Sequence, residues 1–250
     1  MEIEEYEKMY NLEDSYWWFV GKRRIAQNLI EEFIPLNHKD AILDVGCGTG
    51  ATLGFLDHYG RAYGIDISET ALSFCRERAL TRLSRASALE LPFADDSFTL
   101  ITAFDVLYHE AVTDDLLALR EFYRVCRKGG SVLISEPAFN FLWSGHDIAY
   151  HGKRRYVASE LKSKLEAVGF QVVKLSYSNT LLFPLIFAFR MWRRFSRPSL
   201  EDLSDLKPLP PYLNRVLRAV YEVETPLICK MRLPIGSSVV CLARKPPGTI

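Results

Sequence analysis

Two periods of apolar and polar residues alternate along this 250-residue chain. Short apolar runs at 41–45, 61–67, 100–107, 131–136, 170–177 and 237–245 predict buried strands. Between them apolar residues return every three or four positions, as at Ile25, Leu29, Ile30 and Phe33, which predicts helices that pack by one face. Such helices are expected over 1–34, in two pieces joined near 15–21, and over 49–59, 69–80, 113–126 and 159–168. Ser68 and Ser159 are the expected N-caps, and Gly129, Gly130 and Gly169 the stops. Strand alternating with helix implies an α/β fold around a parallel sheet. A long insertion, 178–236, separates the last two strands; it holds an arginine-rich helical stretch, a proline-rich connector at 204–212 and a helix over 213–223.

One strand ends in unusual chemistry. Residues 41–51 read A-I-L-D-V-G-C-G-T-G-A, an apolar strand running into Gly46, Gly48 and Gly50 and then into a helix. This arrangement cradles a nucleotide at the carboxyl end of a parallel sheet. Asp44 stands just ahead of the first glycine, where a carboxylate opposes a pyrophosphate and favours a cation such as an amino-acid ammonium. Asp66 closes the second strand at about the twenty-residue offset expected of an acid that grips ribose hydroxyls. The fitting guest is an adenosine with a cationic amino-acid tail. The spacing Gly46, Gly48, Ala51 also satisfies the looser dinucleotide pattern, so a nicotinamide oxidoreductase is a competing reading, one that Asp44 opposes.

L-D-V-G-C-G-T-G followed by G-I-D-I-S resembles the cofactor motif and ribose strand of class I S-adenosylmethionine-dependent methyltransferases, and the aromatic and basic arm Y-W-W-F-V-G-K-R-R resembles that of bacterial type 11 members. The resemblance implies a Rossmann-like fold: a seven-stranded, mostly parallel sheet with helices on both faces, an N-terminal helical arm (1–35), a core (36–177 and 237–245) and a helical insertion (178–236) in one domain spanning 1–250. It implies S-adenosylmethionine as cofactor, held by Asp44, Gly46, Cys47, Gly48, Gly50 and Asp66, with Ile67 against the adenine. Family members often carry an aspartate where this chain has Ser87, so the base edge falls to Ser87 or to the backbone at Ala88 and Leu89. Phe104 and Asp105, at the exit of the fourth strand, are implied walls beside the sulfonium. Lys22, Arg23 or Arg24 is a candidate for the methionine carboxylate, and Tyr16, Trp17, Trp18 and Phe19 are either a lid or an aromatic clamp.

The methyl acceptor must be sought after the fifth strand, where E-P-A-F-N-F-L-W-S-G-H-D-I-A-Y-H-G-K-R-R-Y packs aromatics, two histidines and a basic cluster into a loop. His146 or His151 is the candidate proton acceptor, with Asp147 fixing a tautomer; a hydrogen-bonded buttress is the alternative. His109 reads as a packing residue ahead of a base, and Lys153, Arg154 and Arg155 are solvated or receive an anion. No metal is expected, because the compact spacing of His146, Asp147 and His151 matches no ligand signature. In the insertion, Arg190, Arg193, Arg194 and Arg197 fall on one helical face and Leu185, Ile186, Phe189 and Trp192 largely on another. Residues 181–197 are therefore a lid, a homodimer contact or a peripheral membrane contact.

Composition trims these readings. Lysine plus arginine and aspartate plus glutamate both number 31, so no global field favours nucleic acid. The five cysteines are scattered without a C-x-x-C pair, and the acidic start lacks the basic and apolar segments of a signal peptide. A cytoplasmic protein is expected, peripheral to the inner membrane face in the membrane-contact reading. The expected activity is methyl transfer to a small-molecule or lipid- or sugar-linked oxygen, nitrogen or carbon; the alternative is a non-catalytic cofactor-binding regulator or scaffold.

Overall fold

The computed structural model describes residues 3–195 and 206–248, with backbone alone at 194 and 195. A seven-stranded sheet runs in the order β3-β2-β1-β4-β5-β7-β6. The strands are β1 (Ala41–Val45), β2 (Arg61–Asp66), β3 (Leu83–Arg85), β4 (Phe98–Phe104), β5 (Cys126–Pro137), β6 (Gln171–Ser178) and β7 (Ser238–Arg244). β1 to β5 pair in parallel, and β7 lies antiparallel between β5 and β6. From β1 the chain first builds outward through β2 and β3, then crosses back to β4. That reversal opens a crevice at the carboxyl ends of β1 and β4, where open α/β sheets bind ligands.

Successive strand residues face opposite layers, as the two-residue period requires. Leu43, Val45, Ile101 and Ala103 pack with Phe122 of α5 (Asp115–Val125) and Leu161 of α7 (Ala158–Ala167). Ile42, Leu100 and Leu133 pack on the other face with α2 (Trp17–Phe33), α3 (Ala51–Leu56), α4 (Glu69–Glu77) and α9 (Pro211–Lys230). The remaining helices are α1 (Ile3–Leu12), α6 (Gly145–Ala149) and α8 (Phe183–Phe195).

Several expectations shift. The joint in the arm falls at residues 13–16, so Trp17, Trp18 and Phe19 form the first turn of α2 instead of a connecting loop. β4 ends at Phe104, and the expected exit within 100–107 begins at Asp105, which turns with φ 56°. Val157, not Ser159, precedes α7, and the Tyr177 hydroxyl accepts from Ala158 N at 3.0 Å in place of a serine cap. α9 outruns 213–223 at both ends and carries Pro226 inside, since its buried face continues through Tyr221, Glu224, Thr225 and Ile228. Arg197 lies outside the described residues.

Candidate functional site

β1 delivers Asp44 to the rim of the crevice, and Gly46, Gly48 and Gly50 carry the chain over it with φ of 67°, 54° and 96°. A Cβ on Gly46 would lie 2.6 Å from Val106 Cγ2, so the turn has room for glycine only. Asp44 is 2 % exposed. Its Oδ1 accepts from Thr102 Oγ1 at 2.6 Å, while its Oδ2 has no hydrogen-bond partner. Burial, opposed by the Thr102 hydrogen bond and helped by the charges of Asp66 and Glu13, pushes this carboxyl up to about 7. Asp66 accepts from Gly48 N at 3.0 Å and from Ser68 N at 2.9 Å, one bond to each oxygen, which leaves lone pairs for hydroxyl donors. Burial raises its pKa as well.

These groups line a cavity of about 590 Å³. Cys47, Ile67, Ser87, Ala88 and Phe104 line it too. Leu89 is not among the lining residues and its N–H donates to Ser87 Oγ at 3.1 Å, so that group does not face the base edge as expected. 

The arm closes the nucleotide end. Tyr6 and Met9 of α1 reach the cavity, and Glu13 ties the arm to the glycine loop by accepting from Thr49 Oγ1 at 2.5 Å and Arg78 Nη2 at 2.9 Å. Arg78 also donates to Asp14 at 2.8 Å and to the Thr49 carbonyl at 2.9 Å. Of the expected carboxylate partners, Lys22 borders the cavity in an ion pair with Asp105 and sits 4.0 Å over the Trp18 ring. Arg23 borders it while donating to the Glu13 carbonyl at 2.6 Å. Arg24 is exposed beside Gln27 and outside the lining, which removes it as a candidate.

Beyond β4 the wall is held by a residue that sequence reasoning missed. Glu136, fully buried at the end of β5, accepts from the N–H groups of Val106, Leu107 and Tyr108 at 3.2, 2.9 and 3.1 Å. Burial and the nearby Asp105 outweigh those donors and push its carboxyl up to about 8. His109 lines the cavity with Nδ1 accepting from Ala111 N at 3.0 Å; burial drives its pKa down to about 4, so the ring is neutral at pH 7.

The loop after β5 separates its polar residues. His146 lines the cavity, edge-on to Trp18 with centroids 6.0 Å apart and 4.3 Å from the Tyr150 ring. Asp147 also lines it, but its carboxylate is gripped at both oxygens by Arg155, at 2.8 and 2.9 Å, and caps α6 through Ser144 N. It therefore braces the loop instead of fixing a histidine tautomer. His151 is outside the lining, its Nδ1 2.7 Å from Glu110 and its ring stacked on His109, which removes it as the proton acceptor. Lys153 is spent on the Val112 and Thr113 carbonyls and Arg154 on Asp115 and Glu160, so this cluster does not present a cationic face to an acceptor. Past His146 the cavity turns apolar between α8 and α9, where Ile186, Phe189, Leu209, Leu213 and Leu217 line it.

Comparison with known proteins agrees with this geometry. Residues 43–134 match the family model described as a methyltransferase domain. The methyltransferase GfsG of Streptomyces halstedii is 32% identical over 123 residues, 45% of this chain and 43% of that protein. A phosphatidylethanolamine N-methyltransferase of Cereibacter sphaeroides is 34% identical over 100 residues, 37% of this chain and 48% of that protein. The chain thus spans about half the length of these curated relatives. Among solved structures, an S-adenosylmethionine-dependent methyltransferase from Thermotoga maritima superposes with a TM-score of 0.60 at 18% identity, over 97% of this chain and 95% of that one, which shows a shared fold.

Proposed function

We propose that the chain is a class I S-adenosylmethionine-dependent methyltransferase and that it transfers the cofactor's methyl group to an acceptor admitted through the apolar end of the cavity. One observation carries the reading. Asp44 Oδ2 is buried, without a partner, on a cavity that also holds Asp66 and the glycine turn. An unpaired buried carboxylate oxygen is costly, and an ammonium is the group that would relieve it. Asp44 would hold the amino group of S-adenosylmethionine, Asp66 the ribose hydroxyls, Ile67 and Ser87 the adenine, and Lys22 or Arg23 the carboxylate. The cofactor, when bound, supplies a methyl group already activated on sulfur.

The protein's own contribution is alignment and dryness. The Glu136-held turn, Phe104 and Trp18 wall the space beside the cofactor, and α1 with α2 covers it. His146, which lines the cavity, would accept a proton from an alcohol or ammonium acceptor. The similar protein of Cereibacter sphaeroides is a phosphatidylethanolamine N-methyltransferase, and the apolar lining here would suit a lipid acceptor.

Titration calorimetry with S-adenosylhomocysteine and, separately, NAD tests the assignment. The former should fill one site and the latter should give no heat. Binding of NAD alone would overturn it.

A further inference from the structure

Resting on the reading above, we propose that the outer faces of α8 and the first half of α9 seat the protein on an anionic membrane surface, and that the acceptor is an amphiphile whose apolar chain enters from that surface. Leu181, Leu185, Phe189 and Trp192 follow one another at spacings of four, four and three and form an exposed stripe; Leu185 is 64% and Trp192 65% accessible. On α9, Tyr212 and Val216 repeat the pattern at 73% and 57%. Phe141, from the loop after β5, extends the patch against Phe187 at 6.0 Å. Single exposed apolar side chains are ordinary, but a stripe of them along one face of a helix marks a binding surface.

Charge selects the occupant. Arg190 turns inward to Asp147 at 3.8 Å, but residues 183–195 also contain Arg193 and Arg194 and no acid, and residues 211–220 contain Arg215 and Arg218 and no acid. The acids Glu201, Asp202 and Asp205 fall in the intervening segment, outside the described residues. Anionic headgroups complement such a face, worth about 1 kcal/mol per basic residue close to the surface. A two-fold contact with a second copy would instead set like charges against each other. Trp192 and Tyr212 are the amphipathic rings favoured at headgroup depth. No helix of the described residues is long and apolar enough to cross a bilayer, so these helices would lie at the interface.

Continuity selects the substrate. Leu185 and Phe189 belong both to the outer stripe and to the cavity wall, and Ile186, Leu213 and Leu217 continue that wall inward. A chain could therefore pass from bilayer to chamber without crossing water, bringing its headgroup to His146 and the cofactor.

The test is cosedimentation with vesicles of phosphatidylcholine, alone or mixed equally with phosphatidylglycerol, with S-adenosylhomocysteine titrated in parallel. The wild-type protein should bind the anionic vesicles at least roughly tenfold more tightly than the neutral ones. The variant Trp192→Glu/Tyr212→Glu/Val216→Glu, at positions outside the cavity lining, should lose that binding while its S-adenosylhomocysteine affinity stays within about twofold. Wild-type protein that binds the nucleoside but no vesicle would overturn the membrane proposal alone. So would a variant that sediments like wild type, or a dimer that the three substitutions dissolve without any vesicle binding. Vesicle binding without nucleoside binding would support the surface and sink the cofactor reading instead.

Discussion

Asp44 places the sharpest demand on a single side chain. Its carboxyl rises from 3.8 in the unfolded chain to about 7 when folded. The folded state therefore holds its proton more tightly, and the stability this contributes is full below about pH 4 and lost as pH rises to about 7. Asp66, Glu13 and Glu136 are shifted in the same direction. The unliganded protein should accordingly melt at lower temperature at pH 8 than at pH 5, and saturating S-adenosylhomocysteine should shrink the difference. Binding runs the other way, because the ammonium needs the ionised carboxylate. Calorimetry should show affinity rising about tenfold from pH 6 to pH 8, a dependence that Asp44→Asn abolishes along with most of the affinity. Glu136→Ala would orphan three buried N–H groups and cost roughly 2–4 kcal/mol in urea unfolding, with Glu136→Gln milder because one acceptor oxygen remains. Asp44 and Asp66 were legible because glycine spacing and strand ends are local features. Glu136 was not, since its partners lie about thirty residues away and a carboxylate after a strand has no local signature. Asp147 was not legible for a different reason: its sequence neighbour His146 suggests a pair, while the loop folds back over eight residues and gives the carboxylate to Arg155.

At the scale of elements, the arm and the insertion meet over the cofactor end. Asn214 of α9 accepts from Trp17 N at 2.8 Å and donates to the Ser15 carbonyl at 2.9 Å, so α9 fixes the start of α2. Glu13 clamps the other side of that joint. Glu13→Ala should speed S-adenosylhomocysteine release roughly threefold to tenfold and raise hydrogen exchange in α1, both measurable without an acceptor. An unchanged release rate would mean that the arm is not part of the lid. Helical periodicity revealed α2, α5 and the insertion helices, but their ends followed tertiary partners: Tyr177 in place of a serine cap at α7, and a buried face that carries α9 through Pro226. β3, a three-residue partly buried edge strand, has no apolar run to betray it.

The whole molecule reads as one continuous cavity, with a polar nucleotide cradle at the sheet rim and an apolar chamber under α8 and α9. The seven-stranded, mostly parallel sheet followed from family resemblance more than from periodicity, and the strand order was not legible, because pairing order is a long-range property. Ligand that binds only the folded state at about a hundred times its Kd adds about 2.7 kcal/mol, which for a chain of this size should raise the melting temperature by roughly 5–10 °C. The most direct test of the central claim is a crystal structure with S-adenosylhomocysteine bound. Its ammonium nitrogen should lie about 3 Å from Asp44 Oδ2 and its ribose hydroxyls at the same range from Asp66. A ligand seated in this cavity with its amino group elsewhere, and Asp44 Oδ2 still without a partner, would contradict it.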